Sequence, residues 1–531
     1  MRGAVRLAAS AQGFKAQSSA SFGMAIASLS LVSWLPVLVG VITRPALGWP
    51  AAIVLALVVE METRRFRTSL LVAALFVSSA LVPSGLVTDA THYMPVAVTG
   101  GALAVRIALE IRQSRRLTPP IAPPVLVLVG LYLAWATVST VFAIDHRVSL
   151  TYLLGMLAMC ALAFWAVPLM LGTRRDAEGL LATLGVIGVA VAFSVYVVSA
   201  VGAISLFGRS VGAHEVGDLT LLGHPTGIYF ARSGGVYLAP LEPSILMVVG
   251  VVGLIGLASR LAGRDLVLAR LGIGVMVPAI VVTLDRSAWL AALVAAGIYA
   301  ALAVAVRAAP ATAAAVCAFF AVLFLAVMTN TVGVNAVVSC ATPCGQTVAG
   351  PPAAGADEVA LRGGTGLSGR QYLWEASARA ISARPVFGYG PGNDVTAIQR
   401  FLPEPGRYLH GLTSHDTWLR TAVEMGIPGL VLLIGVFAAT AWMFIRRPRT
   451  ISELPDPIHL ALGASVIGLL PAMTFETFLL GGVTFSSLYL ASAMGLMLAP
   501  LRQAEATDAR DRRSPQPGSI RSGRRVRPTS G

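Results

Sequence analysis

Residues 414–447 have the sequence SHDTWLRTAVEMGIPGLVLLIGVFAATAWMFIRR. After a polar start that contains His415, an apolar run extends to a pair of arginines. The run is long enough to cross a hydrocarbon core of about 30 Å, so it predicts a membrane-spanning helix over residues 417–445. Glu424 lies about two turns inside that helix. Because a carboxylate within a bilayer is costly, Glu424 is a candidate functional residue.

Apolar stretches of this kind recur along the whole chain. Of the 531 residues, 56% are hydrophobic and only 12% are charged, whereas a soluble domain has about 25% charged residues. So few charges cannot cover the surface of a soluble protein of this length. We therefore predict an all-α, polytopic membrane bundle of about fourteen transmembrane helices, within a range of about 12–14. The predicted spans are residues 24–42, 46–60, 69–87, 94–111, 124–144, 149–171, 179–203, 243–261, 265–283, 287–306, 311–329, 417–445, 456–474 and 480–500.

Arginines are distributed unevenly between the loops that join these spans. If the N-terminus is cytoplasmic, the short cytoplasmic segments contain Arg64, Arg65, Arg67, Arg112, Arg115, Arg116, Arg174, Arg175, Arg446, Arg447 and Arg449, and the short outer loops contain Arg44, Arg147 and Arg286. Membrane insertion requires this bias. It predicts a multi-pass protein of the cytoplasmic membrane with both termini inside, and span 24–42 as an uncleaved signal anchor. The net charge of +14 then reflects orientation, and we expect no nucleic-acid partner.

The predicted spans divide the chain into six parts. They are the N-terminal transmembrane helices at 1–203, a first extracytoplasmic loop at 204–242, further transmembrane helices at 243–329, a large extracytoplasmic loop at 330–416, the C-terminal transmembrane helices at 417–500 and a basic cytoplasmic tail of disordered composition at 501–531. Within the large loop, apolar residues at helical spacing predict a helix over residues 370–383 that Pro385 ends. Cys340 and Cys344 begin the same loop, where an oxidising compartment would allow a disulfide; two free thiols are the alternative.

Three arginines and one histidine from four separate segments fall on the same predicted outer face: Arg232, Arg286, Arg370 and His415. Arginine presents a planar fork of donors to phosphate oxygens, and histidine can take up a proton near neutral pH. Singly, each residue has a simpler interpretation, as an arginine at the membrane interface or a histidine at a helix start. Together they indicate a site for a phosphate ester or anhydride. The acidic residues and histidines lack metal-ligand spacing, so we expect neither a metal nor a cofactor.

Several motifs follow one another in the second half of the chain. They are RxxxW at Arg370 and Trp374, PxxGxGxG at residues 385–392, His415, and ExGxxGL at residues 424–430. Their order resembles the O-antigen ligase and O-antigen polymerase superfamily, bacterial membrane proteins that transfer glycans from polyprenyl-pyrophosphate carriers. The large loop followed by three final spans is also what the resemblance implies.

Three positions depart from the pattern usual in that superfamily. Asp416 follows the histidine where the family usually has Asn, and Asp285 precedes the arginine of the DRSAW segment where it usually has Ser. Ser244 follows the outer-loop proline, Pro243, where Asn is frequent. These differences bear on which subfamily the chain resembles more than on its resemblance to the superfamily.

The resemblance implies a role for each candidate residue. His415 would be the catalytic base or the group that positions the acceptor, and Arg232 and Arg286 would bind the donor pyrophosphate. Arg370 would be structural or donor-binding. The supporting residues would be Glu424, Trp374 and Asp416.

The implied reaction is a metal-independent, inverting transfer of a glycan from a polyprenyl-pyrophosphate donor to a hydroxyl of a lipid, glycan or protein acceptor at the outer face of the membrane. A polymerase of the same superfamily, which would use a second lipid-linked repeat as acceptor, is one alternative. A transporter or flippase of lipid-linked sugars is another, and it would need charges along a path through the helices and paired repeats. Arg106, Glu110 and Glu424 are such charges, but no repeat is visible.

Overall fold

The computed structural model describes residues 72, 75, 100–108, 123–171, 174–201, 203–206, 209–212, 215–222, 224–233, 241–305, 310–329, 331–339, 370–403, 409, 411–446, 456–478, 480, 482 and 484–499. Several predictions lie outside these residues. They concern the spans at 24–42 and 46–60, most of the span at 69–87, the pair Cys340 and Cys344, and the tail at 501–531.

Helices make up most of the described chain. They are α1 Pro123–Val141, α2 His146–Ala161 with a π-helical continuation Leu162–Ala166, α3 Val167–Met170, α4 Arg174–Val201, α5 Leu241–Ala258, α6 Gly263–Val282, α7 Arg286–Ala305, α8 Ala311–Met328, α9 Arg370–Ala383, α10 Asp394–Gln399, α11 Thr417–Arg446, α12 Pro457–Ala472 and α13 Phe485–Leu498. Residues 100–108 are also helical. Side-chain oxygens of Asp145, Asp456 and Thr484 accept hydrogen bonds from the first turns of α2, α12 and α13, which fixes where these helices begin.

Seven helical stretches of the described chain are long and apolar enough to cross a membrane: Pro124–Val141, His146–Met170, Asp176–Val201, Leu241–Ala258, Gly263–Val282, Arg286–Val304 and Thr417–Arg446. Helices α8, α12 and α13 are apolar but shorter. The prediction of a mostly helical fold with several helices able to span a membrane is confirmed. The total of about fourteen spans and the extracytoplasmic position of the large loop stay predictions. Helix α9 coincides with the helix predicted over residues 370–383.

Helix α5 is the central helix of the described bundle, since its residues 242–257 are all buried. Its glycines allow neighbouring helices to approach closely. A methyl group added to Gly256 would lie 2.7 Å from Cβ of Ala461 in α12, and one added to Gly253 would lie 3.3 Å from Cβ of Leu181 in α4. Small residues at such contacts allow the close packing that stabilises helix association in membranes.

The chain also forms two small antiparallel sheets, which the all-α prediction did not include. Strands β1 Ala203–Leu206 and β2 Arg209–Gly212 form a hairpin, and β3 Glu215–Leu221 lies between β4 His224–Arg232 and β5 Val332–Ser339. Glu215 pairs with both Arg232 and Ser339. The all-α prediction is therefore wrong for these segments. Strand β5 pairs with β3 from more than a hundred positions away, and such a pairing leaves little local signal in the sequence. The sheet joins the end of the 204–242 segment to the start of the 330–416 segment.

Charged residues join three helices at the C-terminal end of α5. Arg260 donates hydrogen bonds to Glu178 of α4 and to Asp456, which caps α12. Nε of Arg174 lies 2.9 Å from Oδ2 of Asp456. The network fixes this end of the bundle, which the arginine bias predicts to be cytoplasmic.

Helix α11 is kinked within the ExGxxGL motif. Gly426 has a φ of 69° and a ψ of −177°, and Pro428 lies inside the helix. A proline has no N–H to donate to the carbonyl of residue i−4, here Glu424. The N–H of Ile427 donates to the carbonyl of Pro385, 2.7 Å away, rather than within the helix. The kink therefore releases carbonyl groups that need other donors.

The glycine loop, residues 385–392, supplies those donors. Its Tyr389 N–H donates to the carbonyl of Val423 at 3.0 Å, and its Gly390 N–H donates to the carbonyl of Glu424 at 2.8 Å. Gly388, with a φ of 65°, comes so close that a Cβ there would lie 2.5 Å from the Glu424 carbonyl oxygen. The loop is a turn, and the two glycine motifs, PxxGxGxG and ExGxxGL, contact each other.

Residues from α1 and α2 also form hydrogen bonds to the kink of α11 and to the glycine loop. Trp135 Nε1 donates to the carbonyl of Met425 at 2.8 Å, and Ser139 Oγ lies 2.9 Å from the carbonyl oxygen of Glu424. Ser149 Oγ donates to the carbonyl of Pro391 at 2.9 Å. The glycine loop is thus held on both sides, which fixes α9 and α10 relative to α11.

We expect Gly426→Ala to destabilise the protein by about 3 kcal/mol, because an L side chain is strained at this positive φ and the added methyl would lie 2.0 Å from the Val386 carbonyl oxygen. Gly435→Ala on the same helix is the control, since its methyl would meet only Cδ2 of Leu128 at 3.7 Å. Thermal unfolding of the two purified variants in detergent measures the difference. Equal unfolding midpoints would contradict the role assigned to the kink.

Candidate functional site

His415 lies in the turn that precedes α11 and has a φ of 48°. This left-handed conformation is uncommon for a residue with a side chain and occurs often at functional sites. Asp416 follows it and begins α11, because its Oδ1 accepts the N–H of Leu419 at 2.8 Å. Asp and Asn are equally good at such a position, which explains why Asp416 can replace the usual Asn. The imidazole is about one-third exposed, with 35% of its side-chain surface accessible.

The carboxylate of Glu476 lies between His415 and Arg370. Its Oε2 is 3.8 Å from Nδ1 of His415, and its Oε1 accepts a hydrogen bond from Nη2 of Arg370 at 2.9 Å. Nη1 of the same arginine donates to the carbonyl of Phe475 at 2.5 Å. Both terminal nitrogens of Arg370 therefore bind groups of the protein itself. Of the two roles predicted for Arg370, structural or donor-binding, this favours the structural one.

The turn that carries Glu476 is fixed by the first residue of α11. The N–H of Thr417 donates to the carbonyl of Met473, and its hydroxyl donates to the carbonyl of Glu476, each at 2.8 Å. The same hydroxyl accepts the N–H of Phe478 at 2.8 Å. Three hydrogen bonds from one residue thus place Glu476 beside His415.

Glu476 is nearly buried, and it lies between α12 and α13, outside both helices. Burial would raise the pKa of its carboxyl group, but the neighbouring His415 ring and the charge of Arg370 outweigh burial and hold the pKa below its ordinary value. The carboxylate is therefore ionised at neutral pH.

Trp374, the other half of the RxxxW motif, packs near the same turn. Its ring lies 6.4 Å from that of Phe475, between centroids. Its Nε1 is buried and has no hydrogen-bond partner among the described residues. The motif thus places one arginine and one tryptophan of α9 against the Glu476 turn.

Arg286 is the first residue of α7, and its side chain is exposed. Asp285, immediately before it, caps this helix through Oδ1, which accepts the N–H of Ser287 at 3.1 Å. The hydroxyl of Ser244 donates to Oδ2 of Asp285 at 2.6 Å. Two of the positions that depart from the family pattern, Ser244 and Asp285, are therefore in contact and join the starts of α5 and α7.

A second carboxylate joins α5 to α13. Glu242 is buried and accepts the N–H of Ser486 at 2.9 Å and its hydroxyl at 3.0 Å. Together with the contacts of Ser244, Thr417 and Arg370, this bond brings the N-terminal ends of α5, α7, α9, α11 and α13 to one end of the bundle. We call it the His415 end. N-terminal ends of helices carry partial positive charge, and here Asp285, Asp416 and Glu242 accept N–H groups from the first turns of α7, α11 and α13.

Arg232 is the last residue of β4, shortly before α5 in the chain. Its backbone pairs with Glu215, but the position of its side chain lies outside the description. The structure therefore brings His415 and Arg370 together around Glu476 and sets Arg286 at the start of α7. The predicted grouping of all four residues stays a prediction.

Glu424 belongs to a different group of buried charges. Its Oε1 accepts a hydrogen bond from Nε of Arg420 at 2.8 Å, and Nη2 of Arg420 lies 3.3 Å from Oδ1 of Asp394. All three side chains are buried. The group attaches α10 to α11 beneath the glycine loop, so a structural role accounts for Glu424.

Sequence reasoning missed Glu476 and Arg420. A signal existed for each: Glu476 stands alone in the apolar sequence AMTFETFLLGG at residues 472–482, and Arg420 precedes Glu424 by one helical turn. Among the residues that the structure describes, no group of three or more His, Cys, Asp or Glu could hold a metal ion.

A comparison with known protein families matches the part of the chain that contains His415 and Arg370. A family model described as O-antigen ligase matches residues 271–434, a region that contains Arg286, α9, the glycine loop, His415 and the kink of α11. No curated protein matches the chain. The matched region carries the motifs on which the predicted resemblance rests, and it supports the resemblance of this part of the chain to the O-antigen ligase superfamily.

Proposed function

We propose that the protein transfers a glycan from a polyprenyl-pyrophosphate carrier to an acceptor hydroxyl at the outer face of the cytoplasmic membrane. The observation that carries the proposal is the position of His415 at the end of the bundle where five helices begin, inside the region that matches O-antigen ligases. A donor that arrives on a lipid is already activated, so a transferase of this kind needs no nucleotide sugar.

The proposed reaction is a single displacement at the anomeric carbon. His415 accepts the proton of the acceptor hydroxyl while the hydroxyl oxygen forms the new glycosidic bond, which is the work of a general base. The bond between the anomeric carbon and the pyrophosphate oxygen breaks, and the pyrophosphate leaves with the electron pair. Attack from the opposite face inverts the anomeric configuration.

The leaving pyrophosphate needs stabilisation of its growing negative charge. In the proposal, Arg286 and Arg232 provide it. Preorganised guanidinium groups can stabilise such a charge directly, so we propose a metal-independent reaction. Arg370 keeps the site in shape through its contacts with Glu476 and Phe475.

A transporter is less well supported. A path for a sugar through the helices would need accessible polar groups, whereas Glu424, Arg420 and Asp394 pair with one another in a buried group closed by the glycine loop. That arrangement suits a fixed anchor better than a pathway.

We expect His415→Gln to lower glycan transfer about 10²–10⁴-fold, the usual contribution of a general base, while donor binding and protein abundance are retained. Histidine His146→Gln, at the exposed start of α2, is the control and should transfer normally. Transfer is measured with purified protein, a polyprenyl-pyrophosphate glycan and an acceptor lipid. Near-normal turnover by His415→Gln would contradict the assignment of His415 as the general base.

We expect Arg286→Lys to lower kcat/KM nearly as much as Arg286→Ala, each by about 10–100-fold, because lysine keeps the charge but loses the bidentate geometry. The matched control is the exposed Arg379 of α9, where both substitutions should be neutral. If lysine restores transfer at position 286 at equal membrane abundance, Arg286 acts as an interfacial charge and does not grip the pyrophosphate.

The acceptor decides between a ligase and a polymerase. With a lipid-linked repeat as the sole substrate, we expect no lengthening of the lipid-linked glycan, and transfer only when a separate lipid, glycan or protein acceptor is added. Electrophoresis of the lipid-linked products measures the outcome. A ladder of longer glycans on the carrier would identify a polymerase instead.

A further inference from the structure

We infer that Glu476 is a positioning residue for the reaction: its carboxylate orients the His415 ring and holds Arg370 at the same time. The inference rests on the proposed function and adds a residue outside the region matched by the family model. Each carboxylate oxygen has its own partner, Oε1 the guanidinium of Arg370 at 2.9 Å and Oε2 the Nδ1 of His415 at 3.8 Å.

The geometry assigns different tasks to the two ring nitrogens. A carboxylate beside Nδ1 favours a proton on that nitrogen, which leaves Nε2 as the acceptor for the hydroxyl proton. The distance of 3.8 Å is longer than a hydrogen bond. Catalytic hydrogen bonds are often long without substrate and shorten in the complex.

The charge of Glu476 fits the same task. When Nε2 takes the hydroxyl proton, the ring becomes a cation, and an ionised carboxylate beside Nδ1 stabilises it. The acceptor oxygen bonds to the anomeric carbon, the pyrophosphate leaves with its electron pair, and the ring later returns its proton to water or to the pyrophosphate. Glu476 itself gains and loses no proton.

The turn that carries Glu476 is held by several hydrogen bonds. A residue that orients another side chain must itself be held in place. Thr417 holds the Glu476 carbonyl and Phe478, and Arg370 holds the carbonyl of Phe475. Only 14% of the Glu476 side chain is exposed. The carboxylate is thus fixed by residues of α9 and α11, the two elements that the glycine loop locks together.

A simple structural ion pair with Arg370 is the competing interpretation, and a double-mutant cycle separates the two. The variants are Glu476→Gln, His415→Gln and the double variant, assayed by single-turnover transfer with matched donor-binding and thermal unfolding measurements. Glu476→Gln keeps the size of the side chain and removes its charge. The control is Glu375→Gln, an exposed glutamate of α9 that pairs with Arg379 and should transfer normally.

We expect Glu476→Gln to lower kcat about 100-fold with KM for the donor changed by less than about twofold. In the His415→Gln background the same change should cost less than about twofold, because a residue that acts through the ring has no effect once the ring is gone. Equal losses in both backgrounds, or a loss explained by a lower unfolding midpoint, would overturn the inference.

Should Glu476→Gln fail to fold, Glu476→Asp takes its place in the cycle, since it keeps the charge and withdraws the oxygens from Nδ1. We then expect a loss of about 10-fold that again disappears in the His415→Gln background. The experiment distinguishes a failure of the proposed function from a failure of the inference about Glu476. Full activity of His415→Gln contradicts the proposed function, whereas an inactive His415→Gln beside a fully active Glu476→Gln contradicts only the role of Glu476.

Discussion

The kink of α11 is the constraint on which the arrangement of the site depends. Gly426 and Pro428 leave the carbonyls of Val423 and Glu424 without helical donors, and in an apolar surrounding each such group would cost free energy. The N–H groups of Tyr389 and Gly390 satisfy them. The glycine loop therefore has one position relative to α11, and with it α9, which carries Arg370, has one position relative to His415.

The buried and half-buried charged residues of the described chain form groups with different roles. Arg420, Glu424 and Asp394 pair among themselves, and Arg260 is shared between Glu178 and Asp456. Groups of this kind fix how helices meet, and breaking one partner leaves an uncompensated charge. The Glu476 carboxylate differs, because it joins a permanently charged arginine to a histidine whose charge changes during the proposed reaction.

The His415 end of the bundle has a feature that suits an anionic donor. Arg286 is exposed at the start of α7, and its planar fork of donors fits the oxygens of a pyrophosphate. The carboxylates at that end are engaged: Asp285 caps α7 and binds Ser244, and Glu242 binds Ser486. They position the starts of these helices.

Sequence alone determined the apolar helical character and the family resemblance of residues 271–434, because these follow from local properties: apolar length, charge and motif spacing. Helix α9 was predictable for the same reason. Only the tertiary structure joined the PxxGxGxG and ExGxxGL motifs into one contact, paired β3 with β5 and placed Glu476 beside His415. Such contacts bring together residues tens to hundreds of positions apart, and no periodicity within one segment encodes which distant carbonyl or carboxylate its donors will meet.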